Sequence, residues 1–160
     1  MREKIILTII LVFFSCIYYV AASPRSKMTK YNNPFNIKRV DSKKYLGKNY
    51  KNSEKYEKFI NVNFAVAAYL TLLDKNYLSK GYNTISKIVN RYAPPSENDT
   101  QKYINDLSSI TKIAKNKIIK FDFDTAFSIC SAMARLESSY ILDKQTFRKG
   151  FIVYKFQKNL

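Results

Sequence analysis

The chain has 160 residues, 28 of them Lys or Arg against 12 Asp or Glu, with no His, no Trp and three Gly. Without His there is no Ser-His-Asp or Cys-His relay, no His-ligated zinc and no imidazole base. Three glycines leave no phosphate-cradling glycine-rich loop, and no metal or cofactor is implied. Acid–base work therefore falls to Asp, Glu, Tyr or Lys. Apolar residues make up 46%, including 13 Tyr and 11 Phe, enough for a packed core, and the length favours one domain.

Residues 1–22 read as a separate object. Arg2 and Lys4 precede an uncharged run from Ile5 to Ala22, with Val20-Ala21-Ala22 as a small-residue cleavage site before Ser23. That is the pattern of a signal peptide, and eighteen apolar residues also just suffice for an uncleaved inner-membrane anchor. Both readings export the rest of the chain to the periplasm or cell envelope. Cys130 is then the only cysteine left, and its helical apolar pattern suits a small core residue. Without residues 1–22 there are 26 basic and 11 acidic residues, an excess of 15 positive charges. Such a surface concentrates on polyanions. Export disfavours nucleic acid and favours envelope polyanions, including the carboxylates of peptidoglycan.

Ser23 to Lys30 is polar and basic, a tether. From Tyr31 to Tyr50 the turn formers Asn32-Asn33-Pro34, Asn36 and Gly47 predict an ordered loop or short strands. Val62 to Lys80 is the first strong helix, with Ala65, Ala68, Tyr69, Leu72 and Leu73 at helical spacing and Gly81 placed as a left-handed cap. Thr84 caps a short helix carrying Ile85, Ile88, Val89 and Tyr92, stopped by Pro94-Pro95. Ser96-Glu97-Asn98-Asp99 has the S-x-x-D capping pattern before a third helix with Tyr103, Ile104 and Leu107. Lys112 to Lys120 is a basic connector. Asp122 or Asp124 caps a last helix running to about Ser138. The fold class is mainly α, one domain over residues 31–160.

The last helix holds an anomaly. Its apolar arc comprises Leu136, Ile129, Met133, Ala126, Cys130 and Ala134, with Glu137 in the middle and Asp124, Ser128, Ser131, Arg135 and Ser138 opposite. A carboxylate on a buried face is costly to ionise unless paired. That is the setting of a general acid, although a position near a helix end also lets the side chain reach solvent.

Asn32-Asn33-Pro34-Phe35-Asn36-Ile37-Lys38, then Tyr92-Ala93-Pro94-Pro95-Ser96-Glu97-Asn98-Asp99-Thr100 with Tyr103, then Ala134 with Glu137, occur in a particular order. The order resembles a family of phage and prophage virion proteins that carry a lysozyme-like peptidoglycan-cleaving domain. The resemblance covers about Tyr31 to Tyr140, and the Ala-Pro-x-x-Glu-Asn-x-Thr-x-x-Tyr stretch is its most specific part. Phe35 stands where the family has glycine, Tyr92 where it has tryptophan, Phe64 near another glycine, and Ser138-Ser139 where it has Asn-Gly. Glu137-Ser138-Ser139-Tyr140 also resembles the motif at the catalytic glutamate of lytic transglycosylases. Related glucosaminidases place such a glutamate before an Asn-rich segment similar to Asn32–Lys38. The order here is reversed, so a circular permutation must bring both to one cleft.

The resemblance implies a murein-cleaving enzyme in which Glu137 protonates the glycosidic oxygen. No second carboxylate partners Glu137 at a convincing spacing, which favours the single-acid transglycosylase route. Glu97 is the rival acid, though helix-terminal placement explains it better. Asn32, Asn33, Asn36, Asn98, Thr100 and Tyr103 are the candidate substrate contacts. Turn-making explains the first three about as well, and capping or packing explains Thr100 and Tyr103. Two other readings stay open. One is a catalytically lapsed lysozyme-like module that binds glycan or serves in an envelope, secretion or virion assembly. The other is a basic exported protein acting at membranes or as an effector.

Overall fold

The computed structural model describes residues 31–49 and 54–159; the signal or anchor segment, the tether and Tyr50 lie outside them. Five α-helices account for about half of the described chain: α1 (Val62–Thr71), α2 (Ile85–Tyr92), α3 (Thr100–Thr111), α4 (Phe123–Ser138) and α5 (Lys144–Lys158). The architecture is mainly α, as expected. Strand pairing among the described residues is confined to two isolated antiparallel bridges, Lys38 with Tyr56 and Lys48 with Phe59. None of the described helices is long and apolar enough to cross a membrane.

Helix α1 is the hub. Ala65 to Leu70 are all buried, the signature of a helix enclosed on every side. Its most extensive contact is with α5, and it also touches α4, while α2 packs on α3 and α3 on α4. The close approach of α1 and α5 depends on Gly150, where a Cβ would fall 2.5 Å from the Val66 side chain. Aromatic rings join α4 to α5. Phe123 lies 5.1 Å from both Phe147 and Phe151, and Phe127 lies 5.1 Å from Phe147. Cys130 is fully buried in this core.

Three local expectations need correction. Val62–Lys80 is not one regular helix. After Thr71 the chain widens into a π-helical stretch over Leu72–Tyr77 and then tightens into a 3-10 turn over Leu78–Lys80. Gly81 closes it in the left-handed conformation, φ 81°. The cap of α3 is Asp99, whose carboxylate accepts from the Lys102 amide at 3.0 Å, so that helix starts three residues later than a Ser96 cap would set it. Helix α4 is not the last. Asp143 caps α5 through the Thr146 amide, as Asp122 caps α4 through that of Thr125, and Phe147, Phe151 and Tyr154 face inward at i, i+4 and i+7.

The segment before α1 is irregular but tightly held. Lys48 and Glu57, both buried, pair at 2.9 Å. The Lys48 ammonium also donates to the Val40 and Lys43 carbonyls, and Glu57 Oε1 accepts from the Val40 amide. Gly47, at φ 66°, lies against Phe64, whose ring would sit 2.2 Å from a Cβ there. A side chain at 47 is excluded twice, by backbone conformation and by space.

Candidate functional site

The end of α4 meets the start of the described chain. Ser139 ends α4 in the left-handed conformation, φ 57°, and the turn exposes the last carbonyls and the Glu137 carboxyl to the Asn32–Asn36 loop. Ser138 Oγ donates to the Pro34 carbonyl at 2.9 Å. The Asn36 amide donates to the Glu137 carbonyl at 2.8 Å and to its Oε2 at 3.0 Å. Asn36 does this from a left-handed backbone, φ 49°, which Asn tolerates better than most residues.

From the other side comes Tyr103 on α3. Its hydroxyl donates to Glu137 Oε1 at 2.6 Å and lies 3.4 Å from Met133 Sδ. Burial, reinforced by the Glu137 charge, pushes the Tyr103 hydroxyl far above its ordinary range, so it stays a donor. Glu137 is thus held on each oxygen by a neutral donor. Such bonds fix its orientation without locking it into an ion pair.

Glu137 opens onto a cavity of about 930 Å³. Its walls come from the Asn36–Tyr45 segment, from Leu72, Asn76 and Tyr77 on the π-helical stretch, and from Arg91 to Asn98 at and after the end of α2. The wide π turn is what presents Asn76 and Tyr77 here, a use often made of such irregularities.

Of the expected contacts, Asn36, Asn98 and Glu137 line this cavity, and Tyr103 reaches it through the carboxylate. Asn32 and Asn33 do not. The Asn32 amide donates to the Phe59 and Ile60 carbonyls. Asn33, almost fully buried, donates to the Ile37 and Glu57 carbonyls and accepts from the Ile37 amide. Their visible role is to shape the loop that carries Asn36. Thr100 is buried and donates to the Ala93 carbonyl at 2.7 Å, fastening the α2–α3 turn.

Glu97 lines the same cavity but precedes α3 and pairs with Lys38 at 2.5 Å. The hydrogen bond from Lys38 holds the Glu97 carboxyl below its ordinary value, which suits a fixed anion rather than a proton donor. Sequence reasoning missed Asn76, Tyr77, Tyr82, Lys80 and Arg91, which also line the cavity. No spacing rule links them, since they come from an irregular helix end and a neighbouring helix.

Phe35 is fully buried and stacks on Tyr69 at 4.5 Å. Tyr92 donates from its hydroxyl to the Phe35 carbonyl and meets Tyr69 edge-on. Phe35, Tyr69 and Tyr92 thus form one aromatic cluster under the loop.

No family model matches the chain. A curated phage protein does: over 126 residues the chain is 30% identical to Protein P5 of Pseudoalteromonas phage PM2, across 75% of this chain and 76% of the phage protein. The chain belongs to the family of that phage protein.

Proposed function

We propose that the chain is an exported, phage-derived enzyme with a lysozyme-like domain that cuts the glycan strand of peptidoglycan, with Glu137 as general acid. The observation that carries this reading is a carboxyl on the wall of a 930 Å³ cavity, oriented on both oxygens by the neutral donors Tyr103 and Asn36. Protonated Glu137 gives its proton to the glycosidic oxygen between muramic acid and glucosamine as that bond breaks. Positive charge develops at the anomeric carbon. The muramic 6-hydroxyl closes on that carbon and returns its proton to Glu137, which is then ready for another turn. Tyr103 and Asn36 keep the carboxyl aimed in both protonation states. Export and envelope location rest on the Ile5–Ala22 run.

Incubating the purified chain with sacculi tests the proposal through release of soluble muropeptides. Glu137→Gln keeps size and hydrogen bonding but removes the transferable proton, so release should fall ~100-fold or more. Digestion by Glu137→Gln at the native rate overturns the assignment. Sacculus binding without release by the unsubstituted chain favours the glycan-binding or structural module instead.

A further inference from the structure

We infer that the Glu137 cavity carries a recognition site for carboxylate groups borne on a glycan, formed by Lys43, Lys80 and Arg91. The inference rests on the reading that a glycan occupies this cavity. Five cations line it, Lys38, Lys43, Lys55, Lys80 and Arg91, against two carboxylates, Glu97 and Glu137. The five are not equivalent. Lys38 is neutralised by Glu97, and Lys55 lies over the Tyr56 ring at 5.7 Å. Among the described residues Lys43, Lys80 and Arg91 have no carboxylate within ion-pair distance.

The three reach the cavity from three separate elements. Lys43 is a half-buried residue of the segment before α1, Lys80 ends the 3-10 turn, and Arg91 lies in the last turn of α2. A favourable position at a helical C-terminus accounts for Arg91 and for Lys80, but not for Lys43. It does not explain why cations from three elements face one concavity, where like charges repel and low-dielectric walls focus their field. An anionic ligand removes that repulsion. The planar Arg91 fork suits a carboxylate in particular. Neutral groups beside them suit the rest of a glycan: the Asn76 side chain has no hydrogen-bond partner among the described residues, and Tyr82 offers a partly exposed ring.

The test is calorimetric binding to the full chain carrying Glu137→Gln, which leaves ligands uncut. One ligand is a soluble peptidoglycan fragment with free stem-peptide carboxylates, the other an uncharged N-acetylglucosamine hexamer. Lys43→Gln/Lys80→Gln/Arg91→Gln should lose about tenfold in affinity for the acidic fragment, the sum of three partly exposed ion pairs. It should bind the neutral hexamer unchanged, and its affinity should lose most of its salt dependence. Arg91→Gln alone, at the native melting temperature, should show a smaller loss of the same kind. Equal losses for both ligands, no loss, or no binding of the acidic fragment overturns the site. Sacculus digestion reports separately on Glu137. Digestion with unaltered fragment affinity in the triple variant sinks the carboxylate site alone, whereas selective, salt-dependent binding without digestion sinks the general-acid reading alone.

Discussion

The Asn36 amide donates at once to the carbonyl and the carboxylate of Glu137, joining residues 101 positions apart. With the Ser138–Pro34 bond it clamps the Asn loop onto the end of α4. Tyr103 completes the hold from α3. Under the proposed reading both residues are positioning groups. Asn36→Ala and Tyr103→Phe should each lower kcat by about 10- to 100-fold, the scale of a small misplacement of a reacting group. KM should change little, because neither substitution alters the cavity's other walls. Steady-state kinetics on soluble glycan strands, beside melting temperatures, separates this from general destabilisation.

The Lys48–Glu57 pair makes a stability prediction. It is buried on both sides and ties Val40, Lys43 and the strand-like bridges together. Removing one partner leaves a buried charge alone, so Lys48→Met or Glu57→Gln should cost about 3–5 kcal/mol. Replacing both by apolar residues should cost much less. Urea denaturation of the two single variants and the double variant checks the non-additivity.

Ser139 occupies a left-handed conformation, φ 57°, that glycine adopts freely. Its side chain is exposed and caps nothing. Ser139→Gly should stabilise by about 1 kcal/mol, seen as a rise of a few degrees in melting temperature. A fall would mean the serine makes a contribution beyond backbone geometry.

Acid sensitivity should trace partly to the caps of α4 and α5. Hydrogen bonds from Thr125 lower the Asp122 carboxyl from 3.8, and those from Thr146 lower Asp143 likewise. A depressed folded-state value means the stabilisation is present above the unfolded value and lost as pH falls through the folded one. Melting temperature should therefore decline below about pH 4. Asp122→Asn/Asp143→Asn keeps capping ability and should flatten that part of the decline.

Local chemistry made much of this protein legible from its residues. Apolar spacing marked α1 to α4, Thr84 and Asp122 capped where expected, and Gly81 closed the first helix left-handed. These features depend on neighbours within a turn or two. Helix α5 was equally marked, by Asp143 with Thr146 and by Phe147, Phe151 and Tyr154, yet its many lysines diluted the apolar signal. Glu137 stood out because a charge inside an apolar arc is a local contradiction.

Tertiary structure alone decided what surrounds Glu137. Asn32, Asn33 and Asn36 are the same residue type within five positions, but only Asn36 turns toward the carboxylate while the others bind backbone carbonyls. The π-helical widening that brings Asn76 and Tyr77 to the cavity, and the meeting there of Lys43, Lys80 and Arg91, follow no sequence period. Side-chain periodicity reports which face of an element is buried. Which side chains converge across elements depends on how those elements pack, a property of the whole fold rather than of any segment.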